Sequence, residues 1–193
     1  MHSAFQYRSY LLKRQIIALT GKLRIYSPDG RLIMFSQQKM FKLREDIRVY
    51  SDESKTEELL FIQARQIIDF SAAYDVHDSL SKERIGTIRR RGWQSLARDE
   101  WSILDANEQP LAMLLEDTLQ YALLRRFLLG NLLPQDYDIR MGETCIADLK
   151  QRFNLFRYEL DLDFSADSAN RLDRRLGVAA GVLLAIVEGK QDN

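Results

Sequence analysis

Residues 81–98, SKERIGTIRRRGWQSLAR, gather Lys82, Arg84, Arg89, Arg90, Arg91 and Arg98 against the single acid Glu83. Guanidinium forks match phosphate oxygens two at a time. Trp93 and nearby Trp101 supply the amphipathic rings that suit a membrane interface. The chemistry on offer is therefore anion recognition, a lipid headgroup included. Alternation along a strand puts Arg89 and Arg91 on one face and Arg90 on the other, so all three converge only where the strand ends. The competing reading is a solvated strand end with one tryptophan in the core. A second basic run precedes the first acid, Asp29: Arg8, Lys13, Arg14, Lys22 and Arg24. Lys13 and Arg14 join the candidate anion contacts. The two runs make one positive surface only if their strands adjoin.

Other chemistry is sparse. His77 lies between Asp75 and Asp78, and His2 is the one other histidine, which nearly excludes sites that need paired histidines. Cys145 is alone, so no intrachain disulfide or multi-cysteine zinc site is available, and the usage fits a reducing compartment. It reads as a small packed residue. RIGTIRRRG lacks the glycine spacing and Lys-Ser/Thr pair of a phosphate loop, and Gly86 reads as a bulge or close backbone contact. In DLDFSADSANRL the alternation of Asp161, Asp163, Ser165 and Asp167 imitates a calcium loop. Ala166 stands where glycine is needed, however, and Leu172 where a bidentate glutamate is needed. No catalytic signature appears, and neither a metal nor a cofactor is expected. Acids and bases balance at 28 each, so bulk charge points to no nucleic-acid partner.

The elements that must position these residues repeat with period two. Phe156, Tyr158, Leu160 and Leu162 alternate with charged residues, which predicts a strand with one buried face. The turn SPDG predicts a hairpin. Twelve strands are predicted: 10–16, 23–27, 31–37, 46–51, 58–66, 71–77, 84–91, 100–105, 110–117, 136–141, 144–150 and 156–162. Two segments are helical. One is near 118–129. The other is the C-terminal run, with Asn170 as its cap and Gly189 as its stop.

Between Arg175 and Glu188 lie twelve uncharged residues. They span about 18 Å as a helix, against about 30 Å of hydrocarbon. The segment is too short to cross a membrane, yet apolar all round, which in a soluble protein means buried on every side. A barrel of enough strands surrounds such a helix. The expected fold is mainly β, a twelve-stranded closed antiparallel barrel enclosing the hydrophobic C-terminal helix, with 1–193 as one domain. Lys13 and Arg14 interrupt the apolar N-terminal run, so no export signal is expected.

The order of TGKLRIYSPDGRLI, YDVHDS, IGTIRRRGWQSLARDEWSILDA, LLRRF and LDRRLGVAAGVLLAIVEG resembles the LURP-one-related family. The family shares a superfamily with Tubby C-terminal domains and phospholipid scramblases. The resemblance implies the same barrel and helix. Through the Tubby relationship it implies a non-catalytic module that recognises phosphoinositides or other anionic lipids, cytoplasmic and peripheral at the membrane. The alternative is a protein-interaction or regulatory scaffold. A scramblase-like lipid mover ranks below both, because the helix is short and enclosed.

Overall fold

The computed structural model describes residues 1–15, 20–39, 46–65, 72–90, 100–116, 135–154 and 156–187. Twelve strands run β1 (Ser9–Gln15), β2 (Thr20–Tyr26), β3 (Leu32–Lys39), β4 (Ile47–Tyr50), β5 (Glu58–Ala64), β6 (Ala73–Asp78), β7 (Arg84–Arg90), β8 (Glu100–Asp105), β9 (Pro110–Glu116), β10 (Asp136–Met141), β11 (Thr144–Arg152) and β12 (Arg157–Asp163). Each pairs antiparallel with the next, and β12 returns to β1, so the sheet closes into a barrel without a free edge. The twelve expected strands are all present, with ends shifted by up to three residues. The largest shift is at β2, which continues back through Gly21 to Thr20.

Alternation decides what faces in. On β1, Tyr10, Leu12 and Arg14 are buried while their neighbours are half-exposed or, at Gln15, exposed. Leu23 and Ile25, Tyr74 and Val76, and Leu160 and Leu162 repeat the pattern on their strands. The inward side chains surround α1 (Arg174–Val187). Val182 and Leu184 of α1 are fully buried, and even Ile186 is only 5% exposed. The helix touches β1, β2 and β12 on one side and β5, β6 and β7 on the other, so it lies inside the ring. At Gly86 the wall approaches the helix closely: a Cβ there would lie 2.9 Å from Leu176 Cδ2.

The helix begins later than Asn170. Asp173 is the cap: its carbonyl accepts from Leu176 N at 3.0 Å and its carboxylate from Arg175 N at 2.9 Å. Asn170 instead turns the chain in the left-handed region, φ 50°. Asp167, almost fully buried, accepts from the backbone N–H of Arg171 and Leu172 at 2.9 and 3.1 Å. It also accepts from Arg174 Nη1 at 3.3 Å. Arg174 lies over the Phe164 ring, 4.3 Å from its centroid. These contacts, with buried Ala4 and Phe5 of the short N-terminal turn, close the barrel around the helix start. The expected helix near 118–129, and the stop at Gly189, lie outside the described residues.

Candidate functional site

The cations singled out by sequence fall on different walls. β1 and β7 are half a ring apart, so the N-terminal run and the β7 run do not form one surface. Arg14 is buried inside the barrel beside the Tyr158 ring, 6.0 Å from its centroid. Arg90 pairs in register with Trp101 and sits 5.7 Å from that buried ring. Lys82 lies in the exposed turn between β6 and β7, at φ 60°. Arg91 and Arg98, with Trp93, lie outside the described residues.

Arg84 and Arg89 do come together, on the outer face of β7. They are joined by Arg65, which follows β5 and which sequence reading had not singled out. All three converge on one carboxylate. Glu108 Oε1 lies 2.6 Å from Arg65 Nη2 and 3.0 Å from Arg84 Nη1, and its Oε2 lies 3.8 Å from Arg89 Nη2. Beneath them Asp75 accepts two bonds from Arg65, both at 2.7 Å, and one from Thr87 Oγ1 at 2.7 Å. Burial pushes the Asp75 carboxyl up. The bonds from Arg65 and Thr87, with the charges of Arg65 and Arg84, outweigh that and hold it below its ordinary value. Glu108 is held low by the bonds from Arg65 and Arg84. His77 is not part of this cluster; its ring packs beside Phe61, centroids 5.9 Å apart.

The opposite wall carries Lys13. Its Nζ lies 3.6 Å from Glu159 and 5.8 Å from the Tyr26 ring centroid. A groove of about 610 Å³ runs beside it, lined by Lys13, Tyr26, Arg152, Arg157, Asp161 and Asp163 among others. Arg152 is clamped by Asp161 through two bonds, at 2.5 and 2.7 Å. Arg157 is exposed and forms no ion pair with the described residues.

The β11–β12 turn borders this groove. There the expected buried face of 156–162 is corrected at its first member: Phe156 is 68% exposed, and Phe153 is 59% exposed. The reason is local. Asn154 Oδ1 accepts from the N–H groups of Phe156 and Arg157, at 3.0 and 3.1 Å, and this turn holds Phe156 outside the strand. From 149 to 158 the sequence LKQRFNLFRY carries Lys150, Arg152 and Arg157 and no acid.

Metal-ligating chemistry is limited. Asp161 is spent on Arg152, Asp163 accepts from Ser165, and Asp167 faces inward, so the three carboxylates of the calcium-like stretch do not converge. Among the described residues, Asp138, Cys145 and Asp148 form the one tight donor group. Arg140 Nε stands 3.5 Å from Asp138. Burial, with the two carboxylates, pushes the Cys145 thiol up, away from the thiolate that binds metals.

A closed antiparallel barrel of twelve strands threaded by an apolar C-terminal helix defines the architectural class. The chain belongs to the LURP-one-related family, whose model matches residues 9–185. No curated protein matches it by sequence. No helix among the described residues is long and apolar enough to cross a membrane.

Proposed function

We propose that this chain is a non-catalytic, cytoplasmic binding module that docks on anionic lipid headgroups at a membrane surface, and that the wall of β1, β11 and β12 makes the contact. The observation that carries this reading is the β11–β12 turn, where two exposed phenylalanines are flanked by an acid-free run of three cations. Stable attachment to a bilayer surface needs two signals, an apolar one and a basic one. Each cation near an anionic surface contributes about 1 kcal/mol. Each phenylalanine leaving water contributes up to about 1.5–3 kcal/mol. Arg157 and Lys13, on the groove beside the turn, are the side chains that would meet a headgroup phosphate.

Co-sedimentation with vesicles of phosphatidylcholine alone, with added phosphatidylserine, and with added phosphoinositide tests it. Binding is expected only to the anionic vesicles, weaker at high salt, and reduced in both Phe153→Ser/Phe156→Ser and Lys13→Ala/Arg157→Ala. Wild-type protein that stays in the supernatant with every vesicle overturns the reading.

The same phenylalanine pair supports a second reading, a protein-interaction scaffold. The surface has balanced charge, and two adjacent exposed aromatics suit a protein partner as well as a lipid. A stoichiometric complex lost in Phe153→Ser/Phe156→Ser, with no vesicle binding by the wild type, decides for it.

A further inference from the structure

The arginine cluster on β5–β8 is more than a surface ion-pair network, because its members are held to different degrees. Asp75 is 15% exposed at its side chain and fixed in β6. It clamps Arg65 through Nε and Nη2. Arg84 is fixed independently, its Nη2 donating to the Ala106 carbonyl at 2.7 Å. Thr87, fully buried, locks Asp75 from below. Two guanidinium forks are thus positioned without help from Glu108. Glu108 itself sits in the turn between β8 and β9, at φ 62°, with its side chain 41% exposed. An exposed ion pair of this kind adds little to folding stability. If Glu108 swings away, Arg65 and Arg84 keep Asp75 as their carboxylate partner, Arg89 loses its ion pair, and three guanidinium groups stand around the place its two oxygens held.

We infer that Arg65, Arg84 and Arg89 form a phosphate-binding cradle and that the Glu108 carboxylate is its built-in occupant, displaced when a phosphate monoester arrives. A dianionic phosphate offers more oxygens and more charge than one carboxylate, and arginine forks grip it bidentately. The cradle lies half a ring away from β12 and β1. A flat bilayer against that wall leaves the cradle facing water, so its ligand is a soluble phosphate group and not a headgroup. The cradle itself does not depend on the proposed membrane contact; the choice of a soluble phosphate over a headgroup rests on it.

Titration of the full chain with inorganic phosphate, followed by calorimetry and by the rise in unfolding temperature, tests it. Glu108→Gln removes the competing negative charge and is expected to bind phosphate about tenfold more tightly than wild type, roughly the gain from removing one competing carboxylate. Arg89→Ala in the Glu108→Gln background is expected to lose that gain. Arg89 is 43% exposed at its side chain, and Glu108 is its one ion-pair partner among the described residues, so this variant should keep its fold. Phosphate affinity unchanged in Glu108→Gln, or retained after Arg89→Ala, overturns the cradle. A gain for phosphoinositide vesicles with none for inorganic phosphate overturns the soluble ligand. Neither outcome bears on the Phe153/Phe156 variant, whose vesicle binding is read separately.

Discussion

Leu176, in the first turn of the enclosed helix, fills the space that a side chain at Gly86 would occupy. A Cβ on Gly86 would meet both Leu176 methyl carbons, at 2.9 and 3.1 Å, and would collide with the Leu104 carbonyl oxygen across the sheet. The leucine tip can move, but the Leu104 carbonyl belongs to the barrel wall. Overpacking against backbone costs about 1–3 kcal/mol and occasionally more. Gly86→Ala should therefore lower stability by about 3 kcal/mol, read as a lower urea midpoint with an unchanged slope. A midpoint equal to wild type would show that β7 and the helix are not in this contact.

The two glycines of the helix should respond differently. A Cβ on Gly177 would press into the Phe164 ring, 2.5 Å from Cε1. That ring is held edge-on by Tyr10 and capped by Arg174. At Gly181 the nearest atoms, on Leu12 and Leu162, are 3.4 and 3.5 Å away, an ordinary packing distance. Alanine is a better helix former than glycine by about 0.8–1 kcal/mol. Gly177→Ala should destabilise, while Gly181→Ala should be neutral or raise stability by up to about 1 kcal/mol. Urea unfolding of the pair checks this; equal losses at both positions would contradict the packing described.

Acid should loosen the helix from its wall. Arg175 donates to Asp78 at the end of β6, joining residues far apart in sequence. Burial raises the Asp78 carboxyl, but the bonds from Arg175 and from the N–H groups of Leu80 and Ser81 outweigh it, so the net shift is downward. A carboxyl held low when folded binds a proton more readily once unfolded. Its stabilisation is complete above the ordinary value near 4 and is lost as pH falls through the folded value. Asp75, also held low, adds to the same slope. Stability should be level from about pH 7 to 5 and fall below about 4. Asp78→Asn should lie lower at neutral pH by about 1.5–3 kcal/mol, with a shallower acid decline. An acid profile identical to wild type would remove this bridge as a contributor.

Much of this architecture can be read from residue pattern alone, because a barrel wall imposes period two and an enclosed helix imposes uniform apolarity. The same logic, applied strictly, already places Arg14 inward with Tyr10 and Leu12; only its charge argued for the surface. Phe156 failed for the opposite reason. It continues the alternation of Tyr158 and Leu160, but the Asn154 turn makes the strand begin one residue later, at Arg157, and that turn acts through hydrogen bonds that hydropathy does not record. The arginine cradle was half legible. Arg84 and Arg89 lie on one strand, whereas Arg65 and Glu108, 43 residues apart, are brought to them by barrel curvature, which no local pattern encodes.

Cys145 gives the last test, of the outer face of β10 and β11. Asp138 and Asp148 stand directly opposite one another there, and the thiol hydrogen is directed to Ala147 O and to Asp148 Oδ1, at 3.7 and 3.8 Å. Burial raises the thiol, and the two carboxylates raise it further because a thiolate between them would be a third negative charge. Arg140 opposes this without reversing it. Only thiolate attacks an alkylating reagent, so iodoacetamide at pH 8 should modify Cys145 several-fold more slowly than a free cysteine of ordinary value, about 8.5. Asp148→Asn removes one of the repelling charges and should speed the reaction while leaving the fold intact. Wild-type alkylation as fast as that of a cysteine peptide would mean that the carboxylates do not face the sulfur, and the described pairing of β10 with β11 would have to be redrawn.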